Sequence, residues 1–165
     1  MAKKKITKAN VLKLNKVAST LKTFTDANSV TASSTTGPII PITDVYAIGN
    51  SGNQVTFDLV YNTKGVGALT DASLHSAATP NQIIGTPGMK DSLQNILVGT
   101  DTSINGSILK IQSIVTASPL TPVPAALDVD FTLNGGNATK NFPVSPGQFN
   151  KVGDSFILDI TIIIF

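Results

Sequence analysis

The chain has 165 residues and contains no Cys, Glu, Arg or Trp and one histidine, His75, which rules out disulfides and thiolate metal sites. Its net charge of +2 conceals a division: residues 1–25 carry seven lysines and no acid, while the remainder sets five lysines against ten aspartates, a net −5. That asymmetry speaks of partners rather than of fold.

The basic residues at the start are Lys3, Lys4, Lys5, Lys8, Lys13, Lys16 and Lys22. Between them Val11, Leu14, Val17, Ala18, Leu21 and Phe24 recur at spacings of three and four, the pattern of a basic amphipathic helix over about residues 7–21. An isolated helix of that length is marginal in water, so it orders on contact with something else. Residues 1–25 are read as an arm that meets nucleic acid non-specifically, an anionic membrane surface, or a neighbouring subunit. Lysine is a point charge, where Arg grips phosphate with a planar fork, so this arm suits charge neutralisation better than base reading. Lys3 to Lys5 imitate the start of a secretory signal. Lys8, Asn10, Lys13, Asn15 and Lys16 then interrupt any apolar core, and the segment is expected to be retained. No apolar run approaches the roughly 20 residues of a spanning helix.

Residues 26–37 are rich in Ser, Thr and other small residues, and read as a linker. A single β domain over residues 38–165 is expected after it, and a chain of 165 residues is long enough to bury about 70% of its unfolded surface. Residues 38–48 read as a strand whose prolines place it at an edge, and residues 49–53 as a turn. In residues 54–62, Val55, Phe57, Leu59 and Tyr61 alternate with Thr56, Asp58 and Asn62, so this strand is expected to form a hairpin with the one before it.

The pattern loosens over residues 63–103, which read as long loops of the kind that carry function or are ordered by a partner. Within them, Leu93, Ile96 and Leu97 have helical spacing, and a short helix over residues 89–98 competes with a strand at 95–98. Residues 107–116 read as a strand. Three prolines keep residues 118–124 out of any central ladder. Leu127, Val129, Phe131 and Leu133 alternate with Asp128, Asp130 and Thr132, giving a strand with one wet face. Residues 134–137, Asn-Gly-Gly-Asn, supply a turn, and 139–144 a short strand.

The last twelve residues are the most committed stretch. Phe156, Leu158, Ile160, Ile162 and Ile164 share one parity, and Ile157, Ile163 and Phe165 the other, so the distal half is apolar on both faces. Such a strand needs cover on both sides, and Ile160, Ile162, Ile163, Ile164 and Phe165 are the residues expected to serve core or assembly. Seven or eight strands joined by Gly, Pro and Asn turns argue an all-β fold, an antiparallel β-sandwich, with a jelly roll the preferred topology.

Catalytic groups are scarce. His75 is read as a loop or surface residue, and Asp71 and Asp91 as turn or cap residues. Asp128 and Asp130 share one strand face, the pattern of a wet face more often than of a shared cation. A hydrolase built on Asp128, Asp130 and His75 is the weakest alternative, and no cofactor, metal or small-molecule substrate is expected.

A Lys-rich arm, a Ser/Thr linker and a Cys-free β-sandwich together resemble, in architecture, the single jelly-roll capsid and penton proteins of icosahedral viruses and phages. The resemblance implies a structural virion protein, a homo-oligomer located in the virion, that assembles with other coat subunits through its sandwich while residues 1–25 reach inward or into neighbours. The rival is a carbohydrate- or receptor-binding β-sandwich, such as a fibre head or adhesin module, that uses the loops of residues 63–103.

Overall fold

The computed structural model describes residues 37–76, 82–84, 88–89, 92–117, 126–144 and 147–165. All of them fall in the unit Thr36–Phe165. The basic arm, most of the linker and Asp91 lie outside the described residues.

Ten strands and no helix are present among these residues: β1 (Ile39–Tyr46), β2 (Gln54–Tyr61), β3 (Val66–His75), β4 (Gln82–Ile83), β5 (Gly88–Met89), β6 (Ser92–Thr100), β7 (Ile108–Ala117), β8 (Val129–Asn134), β9 (Lys140–Pro143) and β10 (Ser155–Ile164). They form two sheets that pack as a sandwich. The large sheet runs β1-β10-β7-β3-β4, with β5 also paired to β3, and the small sheet runs β6-β2-β8-β9. Among the eight longer strands only β8 and β9 follow one another in one sheet. Every other connection between them passes from one sheet to the other. One pair departs from an all-antiparallel plan: β1 runs parallel to β10, from Ile39 beside Ile157 to Tyr46 beside Ile164.

β10 is the organising strand of the large sheet. Its ten residues span about 33 Å, and it is paired on both edges, with β1 and with β7. Phe156, Leu158, Ile160, Ile162 and Ile164 point into the core, and the last four of these are fully buried. Opposite them, β2 contributes Val55, Phe57 and Leu59, and β8 contributes Val129, Phe131 and Leu133. Phe131 lies between Phe57 and Phe142, with centroids 6.2 and 5.1 Å away, and Phe149 meets Phe156 edge-on at 4.9 Å. At these separations aromatic pairs add to the stabilisation from area burial.

Three expectations are corrected. β1 and β2 are not a hairpin: β1 pairs with β10 in the large sheet and β2 with β6 and β8 in the small one. β10 lies inside the large sheet with its backbone paired on each edge, and β1 supplies one of the two partners. Residues 63–103 are not mainly loop, since they contain β3 and β6. The inward residues of β3 include Ala68, Thr70 and Ala72, too small or too polar to register as a buried stripe. The helical spacing of Leu93, Ile96 and Leu97 comes from a bulge. Asn95 adopts φ 54° and the β2–β6 register shifts beside it, so one inserted residue turns a period of two into one of three.

Candidate functional site

Both inner faces are apolar, so distinguishing chemistry has to lie on the outer faces or in the few polar groups that enter the core. The core contains one hydroxyl network. Tyr61 Oη shares hydrogen bonds with Ser113 Oγ and Thr70 Oγ1, and the two smaller hydroxyls are 2.7 Å apart. Burial pushes the Tyr61 phenol above its ordinary value, against the opposing pull of those bonds. The network joins the two sheets and reaches no titratable base. Asp101, also buried, accepts from Gly52 N at 2.8 Å and Ser51 N at 3.0 Å, which fixes the β1–β2 turn against the β6–β7 turn.

The outer face of the small sheet is polar and concave. A shallow groove of about 330 Å³ is lined by Asp58, Val60, Gln94, Asn95, Asp130, Thr132 and Asn141. Its carboxylates are held: Asp58 accepts from Asn95 N at 2.6 Å and from Asn134 Nδ2 at 3.0 Å, and Asp130 accepts from Asn62 Nδ2 at 2.9 Å. Among the described residues no lysine lines the groove. Its chemistry therefore suits a neutral, hydroxyl-bearing ligand and opposes phosphate or any other anion. The sequence places Asp58, Asp130 and Thr132 on wet faces, but only strand pairing shows that β2, β6, β8 and β9 bring these groups together with Asn95 and Asn141.

The outer face of the large sheet is different. The registers align its outward residues in four rows across β1, β10, β7 and β3. The first row is Ile39, Ile157, Ile114 and Leu69, and the second is Pro41, Asp159, Gln112 and Asp71. The third is Thr43, Thr161, Lys110 and Ser73, and the fourth is Val45, Ile163, Ile108 and His75. Two apolar rows thus flank an acidic row and a row carrying lysine. Ile39 is 59% exposed and Leu69 46%, whereas Ile108 and Ile163 are already covered within the chain.

His75 is at the end of β3 rather than in a loop, and Ser73 Oγ is 2.9 Å from its Nε2. Burial, followed by the positive charge of Lys110, pulls the imidazole below its ordinary value. Asp71 is on the same strand face, four residues and about 13 Å from His75, so the three do not make a Ser–His–Asp relay. Asp128 and Asp130 belong to the other sheet's side, where Asp130 accepts from Asn62 Nδ2, Asp128 N donates to Thr63 Oγ1 and Asp128 O accepts from Asn62 N. The structure does not gather His75, Asp128 and Asp130 into one site. Among the described residues no group of three or more His, Cys, Asp or Glu is arranged to hold a metal.

Of the closing residues, Ile160, Ile162 and Ile164 are core. Ile163 faces outward in the fourth row and Phe165 is 41% exposed. No helix of the described residues is long and apolar enough to cross a membrane. No family model, curated protein or solved structure matches the chain.

Proposed function

We propose that the protein is a structural subunit that builds a larger assembly from copies of its β-sandwich, a capsid or vertex (penton-type) component of a virion. The observation that carries this reading is the apolar row Ile39, Ile157, Ile114 and Leu69 on the outside of the large sheet. Isolated exposed apolar residues need no explanation; an aligned row across four strands marks an interaction surface. The charge division supports the same reading. An arm with seven lysines and no acid is suited to packaged nucleic acid, an anionic membrane or an adjacent subunit of the net-negative body, and only 13% of all residues are charged, as in surfaces covered by partners. Light scattering across salt concentrations tests it. The expected result is a mass of several chains that shifts with salt; a salt-independent monomer overturns the reading.

A second reading has its own observation, the polar groove of the small sheet. In that reading the protein is a carbohydrate-binding module of a fibre head or adhesin. It expects a small monodisperse oligomer and glycan binding that survives removal of residues 1–25 and is lost in Asp130→Ala.

A further inference from the structure

We infer that the groove on the outer face of the small sheet binds a neutral oligosaccharide, about three sugars laid across the strands, with no bridging cation. This ligand class rests on the carbohydrate reading above and is independent of the assembly reading.

Strand pairing gathers polar residues from four strands into one row. Asp58 on β2 faces Thr132 on β8, and Thr132 faces Asn141 on β9. On the other side, β2 and β6 pair at Phe57 with Ile96 and at Leu59 with Leu93, so Asp58 alone stands opposite both Gln94 and Asn95. That is the count of a bulge, a device that re-aims side chains. Gln94 and Asn95 are both exposed, as are Asp130 and Asn141. Four strands about 4.8 Å apart make the row about 14 Å long, the span of about three linked pyranose rings.

The lining matches what a sugar presents: hydroxyls that donate and accept, on a ring whose C–H face is apolar. Asp58 and Asp130 supply acceptors that are oriented in advance, Asp58 by Asn95 N and Asn134 Nδ2 and Asp130 by Asn62 Nδ2. Groups fixed before binding lose less freedom when the ligand arrives. Each carboxylate keeps lone pairs for hydroxyl donors, and a hydrogen bond to a charged acceptor is stronger than a neutral one. Gln94, Asn95 and Asn141 add amides that donate and accept, and Val60 gives the apolar contact.

Anionic sugars would meet two carboxylates and, among the described residues, no lysine in the groove, an unfavourable juxtaposition of like charges. A cation-bridged mode lacks ligands, since among the described residues no three His, Cys, Asp or Glu are arranged to hold a metal. Among the described residues no aromatic ring lines the groove, so a single site is weak, with a dissociation constant of about 1 mM. Copies displayed together gain by avidity.

Saturation-transfer difference NMR of the full-length chain with neutral trisaccharides of glucose, mannose and galactose tests the inference, since it reads millimolar binding and tolerates a large assembly. Binding of at least one is expected, unchanged by EDTA and unchanged in Gln112→Ala, an exposed position on the other sheet. Asn141→Ala is expected to weaken it about threefold and Asp130→Ala about tenfold, with circular dichroism verifying that each variant retains its sheets. Sialyllactose is expected to meet only the lysines of residues 1–25, with a signal that fades with salt and is not weakened in Asp130→Ala. No binding by any of the neutral sugars overturns both the inference and the carbohydrate reading. Sialyllactose binding that Asp130→Ala abolishes, or neutral binding lost in EDTA, overturns the ligand class alone. Neutral binding indifferent to both Asp130→Ala and Asn141→Ala overturns the groove as its site.

Discussion

The two sheets are alike inside and unlike outside. Towards the core, β10 and β7 offer Leu158, Ile160, Leu109 and Ile111, while β2 and β8 offer Phe57, Leu59, Phe131 and Leu133, all fully buried. Away from it, the large sheet presents Ile39, Ile157, Ile114 and Leu69 in one row, whereas the small sheet presents Asp58, Asp130, Thr132 and Asn141. Burial of one face dictates the inner residues of any sandwich, so they identify the fold. The outer residues carry no such obligation, and their difference is the part that speaks of function. Under the proposed assembly, one sheet is covered and the other stays wet.

Substitutions that break the shared interior should have the largest effects on stability. Phe131→Ala removes a ring that Phe57 and Phe142 enclose, and is expected to cost about 3–5 kcal/mol, read as a lower urea midpoint. Gly135→Ala comes next. Gly135 has φ +84°, and a Cβ there would lie 1.8 Å from Gln54 O, so the β8–β9 turn must shift; a loss of about 1–3 kcal/mol is expected in the same assay.

Tyr61→Phe probes the buried hydroxyl bridge between the sheets. Thr70 and Ser113 still pair with each other at 2.7 Å, so the loss is expected to be about 1 kcal/mol. It has a pH signature as well. Burial raises the folded-state pKa of Tyr61 above the unfolded value of about 10, so its contribution is complete below that pH and is lost as pH rises through the folded value. The variant should therefore lose less stability than wild type above pH 10, followed by denaturant titration at each pH.

The smallest effect concerns the open edge at β1. Lys140 reaches from β9 to Asp44 at 2.8 Å and to Val45 O at 2.8 Å, and its hydrogen bond holds the Asp44 carboxyl below the ordinary value. With the folded value depressed, the pair's contribution is present above the unfolded aspartate pKa and disappears as pH falls through the folded one. Both side chains are over a third exposed. A double-mutant cycle with Asp44→Asn and Lys140→Met should accordingly find only about 0.2–1 kcal/mol of coupling, reduced further by salt.

The clean alternations of β2, β8 and β10 made both the sandwich class and the inward residues readable from the chain, because a two-residue period with large apolar side chains has one explanation. Two strands were hidden for opposite reasons. β3 buries Ala68, Thr70 and Ala72, which look like loop residues until Tyr61 and Ser113 are seen to satisfy Thr70. β6 carries a left-handed Asn95, and the inserted residue imitates a helix. Pairing was the least legible feature. Nothing local says that β1 joins β10 in parallel instead of folding back on β2, and without that register neither the four rows of the large sheet nor the groove of the small one can be assembled. Asp58 could be assigned to a wet face, but its partners Asn95 and Asn134 are 37 and 76 residues away.

Hydroxyl-radical footprinting of the full-length protein at low and high concentration tests the contrast between the two outer faces directly. Ile39 and Leu69 report on the large sheet, and Leu97, 51% exposed on the small one, serves as the reference. Concentration-dependent protection of Ile39 and Leu69 with Leu97 unchanged is the predicted outcome. Equal protection of Leu97, or none at any of the three, would contradict the assignment of one covered face and one wet face.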